Sequence, residues 1–447
     1  MLATTALLAA VLAGCGNSAP GARSTARKHP ASAVRAARAN AGFAEVTLSV
    51  PAANRSGAFA TRHTLRVPRG WRAEVWALVP NARLEQWTPQ GDLLVSDPSD
   101  GKIVELAPRY RRSDVPSRHV IVTGLNQPQG MAFDRVHGQE ILYVAETDQI
   151  DRYVWHRGRV GARTILIRNL PSGRDHTRKN IVIGSHHDLF FDIGSTANGS
   201  RSPRSSPPYA SVVKYTPAGS RLRVWARGVR NGDGLSVAPD GSLWSAVNER
   251  DNVAYPFHRA YGRQSDAYGQ VIQAYVNNHP PDEVARLTPG RNLGWPYCDP
   301  DPDVHPGVSG TRFRYTHLRF DRDEPTNPGG RALNCGKLAP LNLGLPAHSA
   351  PLGFHFLENS QLPKRWRAGA VVAAHGSWNR QPPRAPAVLW MPWEARHHTL
   401  GTARELISGF QYANGNRWGR PVDAVPGPDG ALYVSDDSAG AVYRIVP

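Results

Sequence analysis

The chain is poor in the residues that mark common metal and redox sites. It has three cysteines and three methionines in 447 residues. It contains no CxxC, HExxH or Cys/His cluster, which excludes a structural zinc site of the usual spacing. No long stretch carries helical periodicity, which argues against a mixed α/β fold. The apolar stretch near the start, Ala6 to Leu12, is far shorter than the roughly 20 residues that span a bilayer. Lysine is scarce too: six of the 53 basic residues are lysine, so the formal charge of +17 is carried almost wholly by arginine. These arginines are scattered instead of forming one run, so the charge does not mark a nucleic-acid partner.

What the chain does have is a repeated phrase. A turn with Asp and Gly leads into an apolar run, and a polar turn leads out of it. The last copy is the clearest, Pro428-Asp429-Gly430-Ala431-Leu432-Tyr433-Val434-Ser435-Asp436, followed by Gly440-Ala441-Val442-Tyr443-Arg444-Ile445. Earlier copies start at Gly91, Glu140, His187 and Asp240, and a weaker one runs Ala368 to His375. Runs of β-branched and aromatic residues between such turns read as strands and hairpins. The first four copies are spaced by about fifty residues, the length of one four-stranded propeller blade. Six copies predict an all-β, six-bladed β-propeller over residues 61–447. The wider gap between residues 250 and 368 then holds insertions, about 252–281 and 298–350.

Leu12-Ala13-Gly14-Cys15 resembles a bacterial lipobox, with Cys15 as the acylation site of an exported lipoprotein over residues 1–15. No Lys or Arg precedes the apolar stretch, a departure that an upstream start codon would explain. Residues 16–60, rich in Ala, Ser, Arg, Gly and Pro, read as a flexible tether. The two remaining cysteines, Cys298 and Cys335, are expected to form a disulfide outside the cytoplasm.

Candidate chemistry lies in the connections. Arg174-Asp175-His176-Thr177-Arg178 offers a histidine general base beside an acid. Gly228-Val229-Arg230-Asn231-Gly232-Asp233-Gly234 offers an arginine ahead of a glycine-rich turn. Asp282-Glu283, ahead of Arg291-Asn292-Leu293-Gly294-Trp295-Pro296-Tyr297, offers oxygen ligands of the kind calcium takes. His375-Gly376-Ser377-Trp378-Asn379-Arg380 and Arg417-Trp418-Gly419-Arg420-Pro421 interleave arginine with tryptophan, a pattern that can clamp a flat anion.

In this order, and together with Glu249-Arg250-Asp251, these motifs resemble the soluble PQQ-dependent sugar dehydrogenases, most closely the sorbosone dehydrogenase branch, over roughly residues 65–447. The resemblance implies a quinoprotein that oxidises a sugar or sugar aldehyde by hydride transfer to pyrroloquinoline quinone, with calcium beneath the quinone. It implies His176 as base with Asp175 biasing it, and Arg230 and Asn231 at the quinone carbonyl. It implies Gln127 or Gln129, Asn379, Arg380, Arg417 and Arg420 on the cofactor. Calcium would be held by Glu283, with Asp282 and Asp251 nearby and backbone carbonyls around Asn248 and Leu293. It further implies a respiratory quinone or cytochrome as electron acceptor, with membrane contact through the lipid alone. Three departures stand out: the 252–281 insertion splits the calcium motif, Asn379 replaces an expected lysine, and Asp233 adds a carboxylate near the ring. A calcium-dependent lactonase, or a non-catalytic glycan- or protein-binding propeller, would use the same architecture.

Overall fold

The computed structural model describes residues 42–109, 115–156 and 158–447. Among them six sheets, antiparallel except where Arg291–Asn292 pairs parallel with Arg221–Arg227, succeed one another as the blades of a β-propeller. Blade 1 runs Glu85–Trp87, Leu93–Asp97, Lys102–Ala107, Ser117–Val122, and blade 2 runs Met131–Val136, Gln139–Ala145, Ile150–His156, Arg159–Ile167. Blade 3 runs Ile181–Ile183, Leu189–Ile193, Ser211–Thr216, Arg221–Arg227. Blade 4 begins Gly234–Val237, Leu243–Val247, Asp282–Leu287, and blade 5 begins Pro351–Phe356, Gly369–Ala374, Ala387–Glu394. Blade 6 takes Pro421–Pro426, Leu432–Asp436 and Ala441–Val446 from the C-terminus and completes itself with Arg72–Leu78 from the N-terminal side.

Each repeated phrase of the sequence is the second strand of a blade. Leu93–Asp97, Leu189–Ile193, Leu243–Val247, Gly369–Ala374 and Leu432–Asp436 are buried at every position. Strands covered on both faces read as continuous apolar runs without alternation. The first strands of successive blades contact one another in a closed circuit, so they line the central channel.

Two expectations need correction. The tether was expected to reach residue 60, yet Phe43–Thr47 pairs antiparallel with Thr64–Pro68. Leu48 and Phe59 are each 3% exposed and join the core between blades 5 and 6. Phe59 meets Tyr443 edge-on at 6.1 Å. Cys15, the signal segment and residues 16–41 lie outside the described residues. The second correction concerns residues 298–350, expected as a loop-rich insertion. They instead supply Cys298–Asp301, Thr316–Arg322 and Leu341–Leu345, which extend blade 4 to six strands. The 252–281 insertion does stand apart from the blades. It packs its own small core from Val253, Tyr255, Tyr261, Ala267 and Tyr275, and carries the short helix Gln273–Val276.

The Cys298–Cys335 disulfide forms as expected, with Cα atoms 5.7 Å apart and a sequence separation of 37. Closing a loop of that length in the unfolded chain is worth about 3–4 kcal/mol. A Cys298→Ser/Cys335→Ser variant should lose roughly that much in denaturant unfolding, and reductant should lower the wild type to the same level. Phe59→Ala should cost about 3–5 kcal/mol through the cavity it leaves. A flexible tether at this position would show no loss.

Candidate active site

In an antiparallel blade the residues leading into the first strand and those leaving the second lie on the same rim. The candidate motifs occupy these positions around the ring. Arg83, Gln127 and Gln129, His176 to Lys179, Arg230 to Asp233, and Arg417 and Arg420 each lead into a first strand. Ser195, Asn248 to Asp251, His375 to Arg380 and Asp437 each follow a second strand. A cavity of about 530 Å³ opens here, lined by Arg83, Gln127, Asp175, His176, Arg178, Asn231, Asp233 and His375 among others.

His176 is held by blade 3. Its Nδ1 lies 2.9 Å from Ser195 Oγ and 3.2 Å from the Ser195 carbonyl. Ser195 Oγ donates its own hydrogen to the Ala197 carbonyl at 2.8 Å, so Oγ can only accept from the ring. This pattern puts the proton on Nδ1 and leaves the lone pair on Nε2. Burial, and then the positive charge of Arg230, push the His176 pKa down to about 3, against a smaller upward pull from the Ser195 carbonyl. The imidazole is therefore neutral at physiological pH. Asp175 is exposed, and the ring's Nδ1 partner is Ser195, which corrects the expectation that Asp175 orients the base.

Arg230 is 3% exposed and its fork is saturated on one side. Nε donates to the Asn198 carbonyl at 2.8 Å, Nη1 to the Asn248 carbonyl at 2.9 Å and Nη2 to Asn198 Oδ1 at 3.0 Å. Asn198 Oδ1 also accepts from the Asp251 amide at 2.8 Å, which ties the two rim loops together. Lys179, fully buried, donates to the carbonyls of Thr147, Pro171 and Thr177 and so fixes the loop that carries His176. Burial pushes its pKa down to about 8.

A polar chain crosses the channel mouth. Arg83 Nη1 pairs with Asp437 Oδ2 at 2.9 Å, and its Nη2 donates to Gln129 Oε1 at 3.2 Å. Gln129 Nε2 donates to Asp233 Oδ1 at 2.9 Å, and His375 Nε2 lies 2.9 Å from Asp437 Oδ1. Gln129 is thus a strut, whereas Gln127, at φ 48°, lines the cavity itself. Asn231 also lines the cavity and hydrogen-bonds the Asp233 carboxylate. Arg178 lines the cavity with Nε free of any hydrogen bond, beside Arg83 and the carboxylates of Asp233 and Asp437. Arg420 Nε donates to the His375 carbonyl at 3.0 Å, which sets this arginine behind the same wall.

Other expected contacts fall elsewhere. Arg417 bonds Gln411 Oε1 at 3.0 Å and the Ser377 carbonyl, bracing the loop that carries Asn379. Arg380 Nε donates to the Asn277 carbonyl at 3.1 Å and Nη1 to the Pro382 carbonyl at 2.6 Å, so this arginine fastens its loop to the insertion and is no part of the His176 cavity wall. Asn379 is 8% exposed with both side-chain polar atoms unpartnered, in keeping with a ligand-binding role.

The acidic group divides in the same way. Asp282 accepts from the Glu249 amide at 2.8 Å and the Ala350 amide at 3.0 Å, so it is a backbone strut more than a metal ligand. Asp251 lies 3.7 Å from His348 Nδ1 and faces Arg230, which corrects its assignment beside Glu283. Glu283 is fully buried, and neither of its oxygens has a hydrogen-bond partner. Glu249 Oε1 is likewise unpartnered. Burial and then neighbouring negative charge raise both residues: Glu283 well above the usual carboxylate range, beside Glu249, and Glu249 to about 8, beside Asp299. Buried carboxylates without partners are costly unless a cation joins them. The 252–281 insertion does not divide the pair, because Val247 and Glu283 are register partners on adjacent strands.

Arg83, Lys179, Ser195 and Asp437 were missed in the sequence. Lys179 and Asp437 sit at the ends of motifs already singled out, and their position against a strand end was the available signal. Arg83 and Ser195 lie outside every repeated phrase, and only the closed ring brings them to the cavity.

The fold is shared with several solved structures. The PQQ domain of the pyranose dehydrogenase of Coprinopsis cinerea superposes with a TM-score of 0.68 at 21% identity, covering 87% of this chain and 98% of that domain. The calcium structure of the family AA12 enzyme of Trichoderma reesei gives 0.69 at 17% identity, covering 85% and 96%. By sequence, an uncharacterised protein of Borreliella burgdorferi is 23% identical over 395 residues, covering 86% of this chain and 90% of that protein. The full-length Coprinopsis pyranose dehydrogenase is 28% identical over 329 residues, which is 63% of this chain and 41% of that protein. These likenesses do not single out the sorbosone branch. The TrAA12-like family matches residues 65–447, nearly the whole of the described propeller, and the chain belongs to that family.

Proposed function

We propose that this protein is an exported quinoprotein dehydrogenase that oxidises a pyranose or other aldose, with pyrroloquinoline quinone in the rim cavity and calcium at the buried glutamates. The observation that carries the reading is His176, held neutral with its tautomer fixed, in a cavity walled by Arg83 and Arg178 and backed by Arg230. The cavity suits a flat polyanion. Its size falls within the range of cofactor sites, and arginines stay charged when a ligand desolvates them. The unpartnered oxygens of Glu249 and Glu283 suit calcium by the same test.

The quinone, when bound, supplies a two-electron acceptor for hydride. The chain's residues do the rest. His176 Nε2 accepts the proton of the substrate hydroxyl, while the Nδ1–H bond to Ser195 keeps the ring in place. Arg230 then holds a fixed positive charge where negative charge develops, and its three bonds to Asn198 and Asn248 keep it from turning away. The same charge opposes protonation of His176. An anionic ligand offsets it and raises the basicity of the ring when the site is loaded. Arg178, with Nε free, and Asn379, with its amide free, are the residues best placed to hold ligand carboxyl or carbonyl groups. Trp378, 71% exposed beside Asn379, offers a face for a sugar ring at the rim. Arginine in this number favours the quinone over a calcium-dependent lactonase, which has no use for it.

The Leu12–Cys15 lipobox and the Cys298–Cys335 bridge support an exported, lipid-anchored protein that passes electrons to a membrane quinone or a cytochrome.

Apoprotein incubated with PQQ and calcium chloride should oxidise pyranoses in a dye-linked assay. Lactone hydrolysis with calcium alone, and no quinone-dependent oxidation, would overturn the assignment. His176→Ala should lower kcat by about 10²–10⁴-fold while PQQ binding persists. Arg178→Ala should weaken PQQ binding by about 10- to 100-fold, the effect of one charge-assisted hydrogen bond, read from a cofactor titration. A pH effect follows as well. The unfolded histidine takes up a proton near its ordinary value of about 6.5, whereas the folded one resists until about pH 3. The unfolded state therefore binds more protons in that window, and stability must fall as the pH drops through it. Apoprotein melting temperature should decline more steeply between pH 6.5 and pH 4 in the wild type than in His176→Gln.

A further inference from the structure

A second cluster, which the proposed sugar oxidation does not use, joins the end of the 252–281 insertion to the outer strands of blade 4. His279, Asp301 and Asp303 are buried, and one ligand atom from each lies within 4.8 Å of the others. His279 Nδ1 donates to the Tyr275 carbonyl at 2.9 Å, which leaves Nε2 facing Asp303 Oδ1 at 3.0 Å and Asp301 Oδ1 at 3.6 Å. A tetrahedral ion with bonds of about 2.1 Å sets neighbouring ligand atoms about 3.4 Å apart, between these two values. The surrounding bonds fix the ligands in turn. Asp303 Oδ2 accepts from the Gly307 amide at 3.2 Å, Asp301 Oδ1 from the Asp303 amide at 2.8 Å, and Asp301 Oδ2 pairs with Arg319. A histidine that passes its other N–H to a carbonyl is the usual arrangement of a metal ligand.

A second observation points the same way. His279, Asp301, Asp321 and Asp299 line one enclosed cavity of about 10 Å³, room for a single water-sized body. Asp299 is 6% exposed, and neither of its oxygens has a hydrogen-bond partner. Asp299 and Asp321 are register partners on adjacent strands, so their carboxylates share one face. Four carboxylates, Asp299, Asp301, Asp303 and Asp321, thus lie near one imidazole, His279, and one guanidinium, Arg319. The adjacent Arg250 and Arg322 are already paired with Asp323 and Glu324.

We propose that His279, Asp301 and Asp303 bind one divalent transition-metal ion of zinc type, with Asp299 on the adjoining cavity wall. An imidazole among carboxylates favours such an ion over calcium, which takes oxygen ligands. The ion fastens the end of the 252–281 insertion to the outer strands of blade 4. Its three ligands are distinct from Glu249 and Glu283, with Asp299 lying between the two acidic groups, and it is independent of the quinone.

The full-length protein, stripped with EDTA and resupplied with calcium chloride, is then titrated with zinc chloride. Metal content by mass spectrometry should reach about one zinc per chain in the wild type and fall at least tenfold in His279→Gln and Asp303→Asn. Zinc should raise the wild-type melting temperature and leave the Asp303→Asn melting temperature unchanged. Failure of the wild type to retain zinc would overturn the proposal, and so would equal zinc content in wild type and both variants. A calcium-induced shift that Asp303→Asn abolishes would overturn the transition-metal assignment. Zinc binding with no sugar oxidation would leave this site standing and remove the quinoprotein reading, so the two fail separately.

Discussion

The structure depends on one pairing, that of Arg72–Leu78 with Ala441–Val446. A ring of blades has two ends, and an open ring would expose the edge of its last sheet to any passing strand. Here the last blade borrows its outer strand from the start of the propeller. Arg444 bonds Glu74 across this seam and Asp429 on its own side, at 2.8 Å to each. The N-terminal pair Phe43–Thr47 and Thr64–Pro68 then lies against the same region through Leu48, Leu65 and Phe59. The channel and its rim exist because this seam holds, and every site residue draws its position from it. Arg83 and Asp437, 354 residues apart in sequence, form an ion pair only because the ring is closed.

Closure also explains the electrostatics of the rim. The first strands converge on the channel, so residues ahead of them are crowded into a small volume whatever their charge. The chain meets this crowding with alternation: Arg83 between Gln129 and Asp437, Gln129 between Arg83 and Asp233. In this polar chain each charge finds an opposite charge or an amide, as low dielectric requires. The exceptions are informative. Arg178 Nε, the Asn379 amide, the Glu283 carboxylate and Glu249 Oε1 are among the groups without a partner, and under the proposed function a ligand or ion supplies one.

The blades were legible because their second strands are buried on both faces and must be apolar throughout, which prints the same phrase once per blade. Leu93–Asp97 and Leu432–Asp436 could be placed from the sequence without any structure. The outer strands were not legible. Thr316–Arg322 alternates charged and apolar residues and is bounded by no repeated turn, so 298–350 read as loop although it extends blade 4. The tether boundary failed for a similar reason, since Phe59 is a single buried aromatic in a polar stretch. Among the site residues, those inside motifs were legible as positions but not as roles. Arg380 and Asp282 have the right chemistry for a clamp and a ligand, but the chain uses them to fasten backbone. Only hydrogen-bond bookkeeping separates a residue free to bind from one already spent on its own loop.

That distinction makes the insertion part of the site instead of an ornament. Gln273 Nε2 donates to the Asn379 carbonyl at 2.9 Å, and Asn277 Nδ2 to the Gln381 carbonyl at 2.8 Å. The Asn277 carbonyl accepts from Arg380, and the Val276 carbonyl from His348, whose other nitrogen faces Asp251. One short helix therefore holds the loop that presents Asn379 and also steadies the loop that carries Asp251 beside Arg230. A loop of this exposure would otherwise lose order with each escaped side chain. The backbone bonds from Gln273 to Asn277 replace that freedom with a fixed support. The 252–281 segment, which the motifs alone treat as an interruption between Asp251 and Asp282, is the element that positions one wall of the rim.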